Sequence, residues 1–165
     1  MLLPRVWLVP EAEAVDSEEA LKRIRGEGEH AFDPKQTALL ETSSSNLNVL
    51  TGGPLSSAAS ARFLKEDPNW LLIETSAETA TVLVVSEMNY PGCEATVDGV
   101  PVAIYTTDYL LRGVIVPAGT HRIEMRYTAP AARSGALISL LSLLLLGGIA
   151  VYARRTAGKQ SFREA

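Results

Sequence analysis

The sequence has a single cysteine, Cys93, which excludes an internal disulfide framework; one cysteine alone also cannot make a zinc site. Its two histidines, His30 and His121, are far apart and leave little for metal or triad chemistry. There is no P-loop, no dinucleotide fingerprint, no HExxH and no nucleophile elbow. No catalytic residue, metal site or cofactor site is therefore expected. Charge is missing altogether from residues 134–153. Residues 1–133 carry 11 Lys/Arg against 18 Asp/Glu, and residues 154–165 carry 4 against 1. An acidic body with a short basic tail lacks the basic patch that a nucleic-acid binder needs.

The chain that remains has 165 residues, 47% of them hydrophobic, enough for one core plus a short extra element. The uncharged stretch 134–153 would extend about 30 Å as a helix, the thickness of a bilayer's hydrocarbon core. It predicts one transmembrane helix. Its serines can bond back to the preceding turn, Tyr152 stands where an interfacial aromatic belongs, and Gly135 and Ser139 form a small-xxx-small pair that suits neighbouring helices. Arg154, Arg155, Lys159 and Arg163 follow it, so the positive-inside rule places 154–165 in the cytoplasm and the body outside. The opening residues are no signal peptide, since Pro4, Arg5 and Pro10 break the apolar run. Export then requires upstream helices, with Met1 an internal methionine; the other arrangement is a tail-anchored cytoplasmic body.

Before the helix, residues 5–9 suggest a short buried strand. Asp16 reads as a helix N-cap with an acid three residues on, and a helix is expected over 17–25, with Leu21 and Ile24 on one face and Gly26 at its end. Phe32-Asp33-Pro34 is a turn and 37–41 a strand. Residues 42–60, rich in Ser, Gly and Asn, read as a linker. Strands are expected at 61–65, 70–77, 81–88, 93–97, 100–105, 112–116 and 121–127, with a tight hairpin at Asp98-Gly99. In the last of them Ile123, Met125 and Tyr127 alternate with Arg122, Glu124 and Arg126. The fold class expected is mainly β: a small α/β lead-in (1–41), a linker (42–60), an antiparallel β-sandwich (61–130), a transmembrane helix (134–153) and a basic tail (154–165).

The candidate binding residues are aromatic. Trp70, Tyr90, Tyr105 and Tyr109 suit stacking on sugar rings, or else fill the core or anchor at a membrane surface. Glu94, Asp98 and Asp108 lie near the hairpin, but acids beside turns are usually solvated rather than paired for glycoside chemistry. Cys93 reads as a small buried hydrophobe and His121 as structural.

Taken in order, several segments resemble the C-terminal region of the bacterial YfhO-type membrane proteins. These are Leu3-Pro4-Arg5-Val6-Trp7, Phe32-Asp33-Pro34, the run from Asn89-Tyr90-Pro91-Gly92-Cys93 to Asp98-Gly99, and Val114-Ile115-Val116-Pro117-Ala118-Gly119-Thr120-His121 with Tyr127. The chain departs at Cys93, where that family usually carries Trp. The resemblance implies the extracytoplasmic β domain and last helix of a polytopic GT-C-like glycosyltransferase, non-catalytic by itself because the catalytic loops lie between earlier helices. Its implied partners are the bilayer, other helices of the parent protein, and envelope glycans or a lipid-linked sugar. The other readings are a stand-alone membrane-anchored module for glycans or proteins, and an inactive fragment.

Overall fold

The computed structural model describes residues 3–27, 32–42, 50 and 53–160, without side chains at 130–133, 151 and 153–160. The chain divides into two units, Met1–Thr128 and Ala129–Ala165. The first unit contains β1 (Val6–Val9), β2 (Glu11–Val15), α1 (Ser17–Ile24), β3 (Thr37–Glu41), β4 (Ser60–Asp67), β5 (Trp70–Ala77) and β6 (Thr81–Met88). It continues through β7 (Cys93–Val97), β8 (Val100–Val102), β9 (Tyr105–Thr107), β10 (Leu111–Val116) and β11 (Gly119–Tyr127). The second contains α2 (Pro130–Gln160).

The strands form two sheets. The larger runs β1-β6-β10-β9-β3-β2 and the smaller β4-β5-β11-β7-β8. A period-2 pattern explains how they pack. On β11, Ile123 and Met125 are buried while Arg122 and Arg126 are exposed, so the smaller sheet has one inner face. The larger sheet is covered on both faces, which is why β1 and the first five residues of β6 are continuously buried. Val6, Leu8, Leu83 and Val85 join the core between the sheets. Their alternates Trp7, Val9, Val82 and Val84 form a second core with Ala38 and Leu40. Trp7 lodges there with a polar partner, since its Nε1–H donates to the Pro34 carbonyl at 2.9 Å.

Helix α1 starts where the sequence predicts: the Asp16 carboxylate accepts from the Glu19 N–H at 2.8 Å. Gly26, at φ 76°, follows it in the left-handed region. The helix connects two parallel strands, because β2 pairs with β3 in parallel and that pairing needs a crossover. Strand β2 was not expected. Its sequence, EAEAV, is largely exposed and polar, and it takes strand form only by pairing at the sheet edge. The buried residues of α1 are Ala20 and Arg23. Arg23 sits inside because its guanidinium meets Glu13 at 2.7 Å.

The expected strand 100–105 is two strands in different sheets. β8 pairs with β7 at the edge of the smaller sheet, where Pro101 costs no ladder bond; β9 pairs with β10 and β3 in the larger. The chain changes sheets at Ala103-Ile104, and Ile104 packs on the main core. Val102 packs on the main core and Tyr105 on the second, while Val100 is exposed. The Asp98-Gly99 hairpin has the expected geometry, with φ 50° and 83° and Val97 opposite Val100.

The expected transmembrane helix is corrected. Among the described residues, no helix is long and apolar enough to cross a membrane. The membrane location with the body outside and the membrane-span description fall with it. Ser142 Oγ does bond back to the Ile138 carbonyl at 2.9 Å. Of the expected linker, residues 43–49, 51 and 52 lie outside the described residues, as do Met1, His30, residues 161–165 of the basic tail, and the side chains at 154–160.

Candidate functional site

At one end of the two-sheet unit, the loop Asn89–Gly92 carries the chain from β6 in the larger sheet to β7 in the smaller. It is tied down on both sides. The Asn89 N–H donates to the Leu110 carbonyl at 2.8 Å, and the Asn89 side-chain amide donates to Thr106 Oγ1 at 3.0 Å. The Thr128 N–H donates to the Gly92 carbonyl at 2.8 Å. Gly92 itself has φ 99°, which a side chain would strain.

Under this loop lies a cavity of about 300 Å³. Tyr90, Tyr127 and Met88 supply apolar surface, and Glu87 and Arg112 supply charge. Cys93 is also in the wall and is half-buried rather than buried. A β-bulge sets the polar side. Leu111 lies opposite Met88, but Arg112 lies opposite Val85, so Ser86 and Glu87 are extra residues on β6. The bulge places Glu87 between two arginines: one carboxylate oxygen accepts from Arg5 at 3.1 Å, the other from Arg112. Arg5 also pairs with Glu66 and lies over the Phe63 ring at 5.3 Å. The Arg112 side chain is only 11% exposed, and its Nε–H is buried with no partner among the described residues.

The four expected aromatics do not gather. Tyr90 is in this cavity and exposed. Trp70 lies on the outer face of the smaller sheet with its ring already engaged. Lys65 Nζ stands 4.3 Å and the Arg126 guanidinium 5.7 Å from its centroid, and its Nε1–H donates to Glu124 at 2.6 Å. Bonds from Arg126 first, then from Trp70, hold the Glu124 carboxyl below its usual range. Tyr105 packs against the second core. Tyr109 lines a separate cavity beside α1. Sequence reasoning missed Tyr127, Glu87 and Arg112. The alternation in β11 assigned Tyr127 to the apolar face, and no pattern in 81–88 announces the bulge.

The carboxylates are dispersed too. Glu94 is on β7, paired in register with Arg126. Asp108 is in the β9–β10 turn, where its carboxylate accepts from the Leu39 N–H at 2.9 Å and its own N–H donates to the Leu39 carbonyl. Burial pushes its pKa up to about 6, against the effect of the Leu39 bond. Asp98 forms a clamp between two turns. Its carboxylate accepts from the Arg122 N–H at 2.8 Å and meets His121 Nδ1 at 2.6 Å, while His121 Nε2 lies 3.1 Å from the Ala118 carbonyl. Both ring nitrogens thus face acceptors, which favours imidazolium. Asp98 first, then Ala118, raise the His121 pKa; the Arg122 N–H first, then His121, lower that of Asp98.

The sign of the pH effect follows. A raised histidine stabilises fully below its unfolded pKa and loses that contribution as pH rises through the folded value. A lowered carboxylate stabilises above its unfolded pKa and loses that contribution as pH falls through the folded value. From the ordinary values of 3.8 and 6.5, the clamp is complete between those two pH values. The melting-temperature difference between the wild type and His121→Gln is expected to be largest in that window and to shrink on either side. The comparison cancels the separate titration of Asp108. A difference that grows above the window would contradict the clamp.

Among the described residues no group of His, Cys, Asp and Glu is placed to hold a metal. No family model matches the chain, and neither a curated protein nor a solved structure matches it.

Proposed function

We propose that the two-sheet unit is a non-catalytic carbohydrate-binding domain whose site is the cavity under the Asn89–Gly92 loop. The observation that carries this is the sharing of one cavity by Tyr90, Tyr127, Glu87 and Arg112. Aromatic faces suit the apolar side of a sugar ring. A guanidinium beside a carboxylate offers donors and acceptors to neighbouring hydroxyls. Both oxygens of Glu87 are engaged by arginines, which suits a fixed hydrogen-bonding role better than proton transfer. The segment with the YfhO-type resemblance, Asn89-Tyr90-Pro91-Gly92-Cys93, supplies Tyr90 and Cys93 to the cavity. On that reading the unit is an accessory β domain that holds an acceptor glycan or lipid-linked sugar while the transfer is done elsewhere in a larger glycosyltransferase-like protein.

The test is a glycan array probed with the full chain, followed by titration of the strongest binder. Tyr90→Ala and Tyr127→Ala are each expected to weaken binding by about tenfold. Circular dichroism should be unchanged, since both side chains are exposed. Failure of the folded chain to bind any glycan, or full binding by both variants, would sink the reading.

A further inference from the structure

Among the described residues the two sheets have edges at β1, β2, β4 and β8. Three of these edges carry features that deter a further strand. β2 exposes Glu11 and Glu13, β4 is charged and has a register shift between Phe63 and Lys65, and β8 is three residues long with Pro101 at its centre. β1 has none of them. It is Val-Trp-Leu-Val, uncharged and in unbroken register with β6, and Pro4 and Pro10 stand outside it. Register fixes which of its main-chain groups are engaged. Val6 lies opposite Val85, and the Ser86 N–H donates to the Arg5 carbonyl at 2.9 Å, so Arg5, Trp7 and Val9 are the residues that bond to β6. The N–H and C=O of Val6 and Leu8 turn the other way, and no described residue bonds them. Along that edge, from Pro4 to Pro10, lies a cavity of about 530 Å³, within the roughly 300–1,000 Å³ of ligand pockets. Leu55, Ala59 and Ala61 line it on the side of the main core, where the Val6 and Leu8 side chains pack. Lys35 and Gln36 line it on the side of Trp7, whose ring N–H bonds to neighbouring Pro34.

We propose that the β1 edge is a docking site for an extended segment of a partner protein, which adds to the larger sheet as one further strand. The open groups are main-chain donors and acceptors at strand spacing, and an extended backbone is the chemistry that matches them. Side chains set the rest of the pattern. Residues opposite each other on neighbouring strands point to the same face. Partner residues opposite Val6 and Leu8 therefore face Leu55, Ala59 and Ala61 and are apolar. The residue between them faces Lys35 and Gln36 and is polar. The occupant is a single strand rather than a second copy of this chain. The cavity has walls on both sides of the edge, whereas β1 of a second copy is already paired with its own β6 and flanked by the same walls.

The test is amide hydrogen exchange and two-dimensional amide NMR on the full chain. Without peptide, the N–H groups of Val6 and Leu8 are expected to exchange faster than those of Trp7 and Val9, which bond to β6. The probe is the peptide acetyl-Glu-Thr-Val-Thr-Val-Thr-Glu-amide, whose two valines match the apolar pattern. It is expected to shift the amides of β1 and to slow exchange at Val6 and Leu8. Methylating both valine nitrogens removes the donors that would face β1, and should weaken binding about tenfold or more. Methylating the nitrogen of the threonine between them, which faces away, should leave binding unchanged. Ser60→Trp, at an exposed position on the cavity rim, should block the peptide without changing exchange in the free chain. Slow exchange at Val6 and Leu8 in the dilute free chain, equal binding of the probe and its valine-methylated form, no binding of the probe, or full binding by Ser60→Trp would each overturn the proposal. Protection of Val6 and Leu8 that grows with protein concentration in the absence of peptide would overturn it in favour of a second copy.

Discussion

Ile123→Ala is expected to lower the unfolding free energy of the two-sheet unit by about 2–5 kcal/mol. Ile123 is fully buried in β11, the middle strand of the smaller sheet. In register it has Ile73 of β5 on one side and Val97 of β7 on the other, and it belongs to the core shared with Leu83 and Val114 of the larger sheet. Truncation removes transfer free energy and leaves a cavity that neighbours on two strands cannot close without breaking their ladders. Urea unfolding followed by tryptophan fluorescence measures it well, because Trp7 reports on the larger sheet and Trp70 on the smaller. Arg122→Ala, next along the strand and exposed, is the control, with an expected change within about 0.5 kcal/mol. A loss at Ile123 no larger than the control's would mean that the two sheets do not share this core.

Gly113→Ala is expected to cost about 1–3 kcal/mol, although alanine suits a strand better than glycine in general. The reason is proximity. A Cβ at position 113 would stand 2.1 Å from Thr107 Oγ1 and 3.2 Å from Thr107 Cβ. Thr107 is fully buried on the neighbouring strand, its hydroxyl donates to the Tyr105 carbonyl at 3.2 Å, and its β-branch limits where it can rotate. Glycine is needed here for a close approach, as no positive φ is recorded at this position. The pair should be strongly non-additive. In Thr107→Ala the clashing oxygen is gone, so adding Gly113→Ala should cost markedly less than it does in the wild type. The measurement is a double-mutant cycle from urea midpoints, and additive costs would show that Thr107 is not the obstacle.

Local patterns carry far in this protein. The helix at 17–24 is legible because its cap, Asp16, and its acid-first, base-last charge order act within one or two turns. The hairpin at Asp98-Gly99 is legible because two consecutive positive-φ positions demand such residues. Strands β3, β5, β6 and β7 have the bounds read from their apolar runs. The candidate sites are another matter. Of the four aromatics chosen by type, Tyr90 is in the cavity under the Asn89–Gly92 loop, Tyr109 in the cavity beside α1, Tyr105 in a core and Trp70 between cations. A residue's type reports what it can bind, while its neighbours decide whether its face is free.

The sequence by itself determined the elements whose signals are short-range: caps, turns, alternation and the absence of known catalytic motifs. Tertiary structure decided what depends on residues distant in the chain. It paired the polar segment 11–15 into a parallel edge strand, split 100–105 between two sheets, and inserted Ser86-Glu87 as the bulge that sets Glu87 between Arg5 and Arg112. The physical reason is that strand pairing and cavity walls are relations between segments tens of residues apart, and no local pattern of side chains encodes which partner will lie opposite.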